Sequence, residues 1–133
     1  MAEVQAFLLC DSVIRDAQSG KAFLQGVFDR IWVRALPATH RECAAYFRIR
    51  FEDQARHSFN LNIKAPSGLS QPTPESPIVL GPTNIAEGAI KIEGLPLPDE
   101  GRYEIQFLID GTKVATYILD VINTGDQSHG SIH

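Results

Sequence analysis

The stretch Gly94–Val121, GLPLPDEGRYEIQFLIDGTKVATYILDV, decides how the rest of the chain is read. In extended backbone Tyr103, Ile105 and Phe107 fall on one side and Arg102, Glu104 and Gln106 on the other, the period of a strand with one dry and one wet face. Asp110-Gly111 then supplies a turn, and a second strand returns antiparallel. A hairpin with one apolar face must bury that face against another layer, and the remaining segments offer a second sheet. The predicted fold is therefore all-β: an antiparallel β-sandwich of seven to eight strands, immunoglobulin-like or a related Greek key, with little or no helix.

The turn determines which side of the return strand meets the core, because a slip of one residue exchanges the faces. A two-residue loop at Asp110-Gly111 sets Phe107 against Val114 and turns Val114, Thr116 and Ile118 inward. A three-residue loop, Ile109 to Gly111 with Gly111 left-handed in a bulge, sets Ile105 against Ala115 and Tyr103 against Tyr117. The second register is preferred, since it places Ala115, Tyr117, Leu119 and Val121 on the core side, the longer apolar row.

Working back toward the N-terminus, Ile85–Glu93 reads as a strand with Ile90 and Ile92 inward. Residues 65–83 are dense in Pro, Ser and Gly, which removes ladder donors and leaves at most a short edge strand at Ile78–Leu80. The cleanest alternation lies before it, with Ala45, Phe47, Ile49 and Phe51 inward and Tyr46, Arg48 and Arg50 outward. After EDQAR the pattern repeats, with His57, Phe59, Leu61 and Ile63 inward and Lys64 outward. Two such runs across a short polar link predict a hairpin. Leu36–Arg41 is expected as a loop. Val4–Leu9 and Phe23–Val33 read as an N-terminal hairpin around the turn DAQSGK, with a bulge or short helical turn near Gly26–Asp29. The first strand is apolar on both faces, as a central strand or one at an oligomer contact would be. Residues 1–122 are read as one domain and 123–133 as a flexible polar tail.

Composition agrees with a single globular domain. The chain has 133 residues, 44% of them hydrophobic and 21% charged, enough to bury a core without metals or disulfides. A net charge of -4 argues against a nucleic-acid partner, and no apolar run is long enough to cross a bilayer as a helix. The N-terminus lacks the pattern of a secretory signal. Cys10 and Cys43 both sit in apolar strand-like settings and are expected as free thiols in a cytoplasmic protein.

The opening CDSVIRDAQSGKAFLQGVFDRI, with Cys10, Asp11, Val13, Asp16, Gly20, Lys21, Gly26, Val27, Phe28, Asp29 and Ile31, resembles the start of a family of small uncharacterised bacterial proteins. GRYEIQFLIDG, with Gly101, Tyr103, Asp110 and Gly111, resembles the end of that family's domain. The likeness, which includes HSFNLNIKAPSG, implies a bacterial cytoplasmic sandwich without an assigned activity and supplies no catalytic residues.

Chemistry-bearing residues are few. Asp11, Asp16 and Asp29 flank the predicted N-terminal hairpin and would need to converge to hold a cation or act as acid and base; local turn hydrogen bonds are the simpler expectation. His40 and Cys43 have a two-ligand zinc spacing but no second pair. Cys10 has no base or oxyanion donors in evident reach, and GPTNIAEG lacks the spacing of a phosphate cradle. No metal, cofactor or catalytic residue is expected. Tyr46, Arg48, Arg50 and Lys64 form the candidate binding surface, with Trp32 as a further aromatic contact. The function expected is a non-enzymatic interaction module for a protein partner or a second copy of itself. The alternative is a small-molecule or carbohydrate binder that uses Trp32, Tyr46 or a loop pocket.

Overall fold

The computed structural model describes residues 2–125. In chain order the strands are β1 (Ala2–Arg15), β2 (Ala22–Val27), β3 (Arg30–Val33), β4 (Ala38–Phe51), β5 (Ser58–Lys64), β6 (Ser70–Pro72), β7 (Ser76–Pro77), β8 (Ile85–Leu97), β9 (Gly101–Ile109) and β10 (Thr112–Asn123). One sheet has the order β2-β1-β4-β8. The other runs β3-β10-β9-β5-β6, with β7 also on β5. The pairing is antiparallel except for β3, which lies parallel to β10. The all-β sandwich expected from the alternation is therefore present, with ten strands among the described residues rather than seven or eight: the run read as Phe23–Val33 is divided into β2 and β3, and β6 and β7 are short pieces within residues 65–83, read as a loop.

The core lies between the two sheets. Leu9, Phe47 and Ile49 from the first meet Leu61, Tyr103, Ile105 and Phe107 from the second. At its centre Phe107 stacks on Phe7 (ring centroids 5.0 Å apart) and on Phe47 (5.3 Å), while Phe59 closes the group 5.0 Å from Phe47. Apolar burial of this kind is the main stabilising term. Tyr103 is fully buried yet keeps its hydroxyl satisfied: it accepts from the Asp99 N–H at 2.9 Å and donates to the Asp99 carbonyl at 2.7 Å, which fixes the corner from β8 into β9.

The β9–β10 hairpin combines both registers weighed from the sequence. Ile109 pairs with Thr112 across a two-residue loop, and Asp110 and Gly111 both have positive φ, 50° and 81°. The preferred three-residue loop is thus incorrect, as are the residue pairs it implied. A bulge between Lys113 and Ala115 then shifts the register, so Phe107 pairs with Ala115 and Tyr103 with Leu119. The inward row is still Ala115, Tyr117, Leu119 and Val121, because the extra residue at Val114 exchanges the faces that the tight turn would have produced.

Four further expectations are corrected. β4 and β5 do not form a hairpin: β4 pairs with β1 and β8, β5 pairs with β9, and residues 52–57 carry the chain from one sheet to the other. Alternation identifies a half-buried strand but not its neighbour. The N-terminal hairpin joins Cys10–Arg15 to Ala22–Val27, while Val4 and Ala6–Cys10 pair with β4. The irregularity near Gly26–Asp29 is the passage between sheets. Ile78–Leu80 is not a strand, although Ile78 and Leu80 pack on the core and the Ile78 N–H bonds the His57 carbonyl at 2.8 Å. Leu36–Pro37 is a cis peptide, and β4 already begins at Ala38. β10 reaches Asn123, and the tail expected beyond it lies largely outside the described residues.

Candidate functional site

The first sheet is not flat at its β2 end. Pairing of β1 with β4 stops at Cys10, opposite Ala44. Arg15, five residues further on, nevertheless reaches Glu87 of β8, with Nη1 to Oε1 at 3.0 Å, and Glu87 lies in register with Arg48 beside Ala6. A straight continuation would separate Arg15 from that level by about 30 Å at the rise of a strand, beyond the span of the two side chains. The β1–β2 hairpin therefore bends back as an arm across the outer face of β4 and β8. Ser12 and Val13 share a small groove with Ala44, Ala89 and Lys91 beneath it. This accounts for the burial of Cys10, Ala44 and Tyr46, which lie outside the core cluster.

Glu87 holds the arm. It receives hydrogen bonds from Arg15 and from the Tyr46 hydroxyl, and the Arg48 Nη1 stands 3.8 Å away. Burial works against its ionisation, but those hydrogen bonds and the two guanidinium charges outweigh it, so Glu87 titrates below the usual glutamate range. Burial and the same carboxylate push the Tyr46 hydroxyl up to about 12. On the arm's opposite face Ile14 and Phe23 are cross-strand partners, 48% and 56% exposed, and Val27 on the same strand is 57% exposed. β2 is the outermost strand of its sheet, so the other edge of its backbone carries no neighbouring strand among the described residues.

A cleft opens at the root of the arm, where the chain passes from one sheet to the other. The Tyr117 hydroxyl donates to the Phe28 carbonyl at 2.6 Å and the Phe28 N–H to the Leu9 carbonyl at 3.3 Å, which pins the crossing segment to both sheets. β3 then lies along β10 and forms one wall, with Thr39 and His40 of β4 and Leu97 of β8 opposite. The cavity measures about 380 Å³. Its polar lining is Asp11, Arg30, Thr39 and His40, and its apolar surface includes Phe28, Ile31, Trp32, Val33 and Leu97. Asp11 packs against Gly26, whose missing side chain makes room for the carboxylate. Arg30 donates through Nε to Asp29 at 3.0 Å, and its guanidinium carbon stands 5.9 Å from the Trp32 ring centroid. The His40 ring packs 5.6 Å from Phe28. Burial lowers its pKa, so it is neutral at pH 7, and its Nε2 is shielded from solvent with no hydrogen-bond partner among the described residues.

The five residues expected to form a binding surface are in three places. Arg48 and Arg50 lie on the outer face of the first sheet, bonded to Gln5 at 2.9 Å and Glu3 at 3.0 Å, with Tyr46 buried beside them. Lys64 is on the other sheet, in register with Glu104, and Trp32 lines the cleft. The single patch inferred from a β4–β5 hairpin does not exist. Asp16 sits at the arm's tip, where Oδ2 accepts the Ser19 N–H at 2.7 Å, while Asp11 and Asp29 are at its root, so the three carboxylates do not converge. His40 and Cys43, three apart on a strand, point to opposite faces. Among the described residues no group of three or more His, Cys, Asp and Glu is arranged to hold a metal ion. Both cysteines are free and buried; burial is the main cause of the raised pKa of each thiol, and Cys43 is pushed up to about 11. Sequence reading missed Glu87 as an anchor, Asp11 and Arg30 as cleft residues, and the pairing of His57 with Asp110 and Asp53 at 2.6 and 3.2 Å. Only the position of Asp11 and Arg30 around the sheet crossing brings them to Trp32, and no local pattern encodes that crossing.

No curated protein matches the chain. A family of unknown function, DUF6941, matches residues 5–122, nearly the whole of both sheets, and the chain belongs to that family.

Proposed function

We propose that this protein is a non-enzymatic binding module that docks a protein partner through the outward face of the β1–β2 arm. The observation that carries the reading is the exposure of Phe23 and Val27 on β2, whose outer edge is unpaired among the described residues, beside exposed Ile14 on the neighbouring β1. Apolar side chains grouped beside an unpaired edge offer both contact area and backbone hydrogen bonds to an incoming chain. The second apolar face of β1, which first suggested self-association, is covered at Cys10 by the chain's own arm, so the arm's outer surface takes over that role. The non-enzymatic part is supported by the scattered carboxylates, by the raised thiol pKa values, and by His57, both of whose ring nitrogens face carboxylates. The finer fold reading is immunoglobulin-like: β4, β5, β8 and β9 fall on alternate sheets and β10 returns beside β9, the order such domains use, and Tyr103 makes the corner hydrogen bonds characteristic of them. Free Cys10 and Cys43 accord with a reducing, cytoplasmic setting in a bacterium, and net acidity with a partner other than nucleic acid or a membrane.

The test compares wild-type protein with a Phe23→Ser, Val27→Ser double variant by light scattering and by affinity capture from the native host. Association of the wild type that the double variant loses supports the reading, with a dimer or a heteromeric partner as its two forms. A strictly monomeric wild type that captures nothing overturns it. A second reading, a small-molecule binder, is favoured by the cleft that contains Trp32.

A further inference from the structure

The cleft at the root of the arm has a composition that selects among ligands. One carboxylate, Asp11, and one guanidinium, Arg30, both line it, so its formal charges are opposite and balanced. Arg30 engages Asp29 through Nε, and no hydrogen bond from its two terminal nitrogens is made among the described residues, leaving the planar pair of donors that matches a carboxylate. Asp11 accepts no hydrogen bond from the described side chains or backbone. Between these groups the surface is apolar, with Phe28 and Trp32 beside the aliphatic Ile31, Val33 and Leu97. A volume of about 380 Å³ is at the small end of the range for organic ligands.

A sugar fits this lining poorly. One face of the Trp32 ring already carries the Arg30 guanidinium, and aliphatic walls offer nothing to a ring of hydroxyls. A divalent cation lacks ligands here, since Asp11 is the sole carboxylate in the lining. An anion alone would leave Asp11 opposed by like charge. We propose that the cleft binds a small zwitterion with an apolar body, of the α-amino acid class. Its carboxylate pairs with Arg30, its ammonium group with Asp11, and its side chain covers the Phe28, Val33 and Leu97 surface. Thr39 offers a hydroxyl at the same rim. The shielded Nε2 of neutral His40 is a polar atom that a bound ammonium group can satisfy when the ring turns toward the cleft, which gives a reason for a half-buried histidine in the lining. This inference rests on the small-molecule reading of the cleft and is independent of the arm's outer face.

The chain has one tryptophan, so the emission of Trp32 reports on the cleft directly. Full-length protein is titrated with L-leucine, L-isoleucine, 4-methylpentanoate (the leucine skeleton without its ammonium group) and glucose, with heats of binding measured in parallel. A saturable response to the two amino acids is expected, with affinity at least about tenfold weaker for 4-methylpentanoate, as loss of one hydrogen bond to a charged group implies. Arg30→Gln and Asp11→Asn should each weaken leucine binding by a similar factor, while Phe23→Ser leaves it unchanged. Variants that retain a native circular dichroism spectrum are the ones scored. No saturable response to either amino acid by emission or by heat, binding unaffected by both cleft substitutions, or an equal response to glucose each overturns the proposal. Because the arm variant reads association and the cleft variants read ligand, failure of one leaves the other test intact.

Discussion

Arg15 Nη1 lies 3.0 Å from Glu87 Oε1, joining the end of β1 to a strand that is not its neighbour in the sheet. This contact, with the Tyr46 hydroxyl on the other carboxylate oxygen, latches the arm over Cys10. Replacing Glu87 by Gln removes the charge that Arg15 and Arg48 share. For partly exposed pairs the loss is about 1 kcal/mol at most, which raises the population with the arm lifted about fivefold. Cys10 should then react with a thiol reagent about fivefold faster than in wild type, while Cys43, held in the core, keeps its wild-type rate. Mass spectrometry of partially labelled protein separates the two sites. Equal acceleration at both cysteines would mean global loosening rather than release of a latch.

The Phe7, Phe47, Phe59 and Phe107 group makes the centre of the sandwich intolerant of added as well as removed volume. Phe107→Ala should cost about 3–5 kcal/mol, as for other large core aromatics. A smaller change tests the packing more sharply. A Cβ placed on Gly88 would stand 2.9 Å from Cζ of Phe47, and that ring is held from the far side by Phe59 and Phe107. Gly88→Ala is therefore expected to destabilise by about 1–3 kcal/mol through overpacking, although alanine is ordinarily no worse than glycine in a strand. Urea denaturation curves, compared at equal slope, read both effects.

Which side chains face inward was legible in the sequence, because that depends on alternation alone: Ala45, Phe47, Ile49, Leu61, Ile63, Ile105 and Phe107 are all buried. Which strand each one neighbours was not. β4 and β5 carry the same signature whether they pair with each other or cross to opposite sheets, and the short link at residues 52–57 permits either. That one ambiguity dispersed the expected basic patch, because Lys64 follows β5 to the second sheet while Arg48 and Arg50 stay on the first. The cleft was hidden for the same reason. Trp32 was singled out as an aromatic, but its companions Asp11 and Arg30 reach it only through the bend at Cys10 and the sheet change after Val27. In the β9–β10 hairpin the correct inward row came from the wrong loop, since a bulge at Val114 has the same parity effect as a longer turn.

His57 joins three parts of the chain. Its ring stacks 4.5 Å from Phe51, its Nδ1 is 2.6 Å from Asp110 and its Nε2 3.2 Å from Asp53. The hydrogen bond to Asp110 is the main cause of its raised pKa, and the bond to Asp53 adds to it. The two carboxylates are held below the usual range chiefly by their bonds to the same ring. A histidine with raised pKa contributes stability that is complete below the unfolded value, about 6.5, and is lost as pH rises through the folded value. The carboxylates contribute above their unfolded value, about 3.9, and lose the contribution as pH falls through their lowered folded values. The cluster should thus be most stabilising from about pH 4 to 6.5. The difference in Tm between wild type and His57→Asn is expected to peak there and to shrink toward pH 9. A difference that grows with pH would contradict the charged-ring arrangement.

Tyr103 offers a test of the corner that sets the β8–β9 geometry. Its hydroxyl serves both backbone groups of Asp99, as acceptor at 2.9 Å and donor at 2.7 Å, and burial raises its pKa so that it stays protonated. Phenylalanine keeps the ring in the core and removes only those two bonds, leaving the partly buried Asp99 N–H and carbonyl without them. A cost of about 1–3 kcal/mol is expected for partners left unsatisfied, visible as a lower Tm with an unchanged circular dichroism spectrum. Because the corner only joins the two strands and the arm latch lies elsewhere, Cys10 labelling in native Tyr103→Phe protein should accelerate no more than Cys43 labelling. Selective exposure of Cys10 would instead mean that the corner and the arm are mechanically linked across the sandwich.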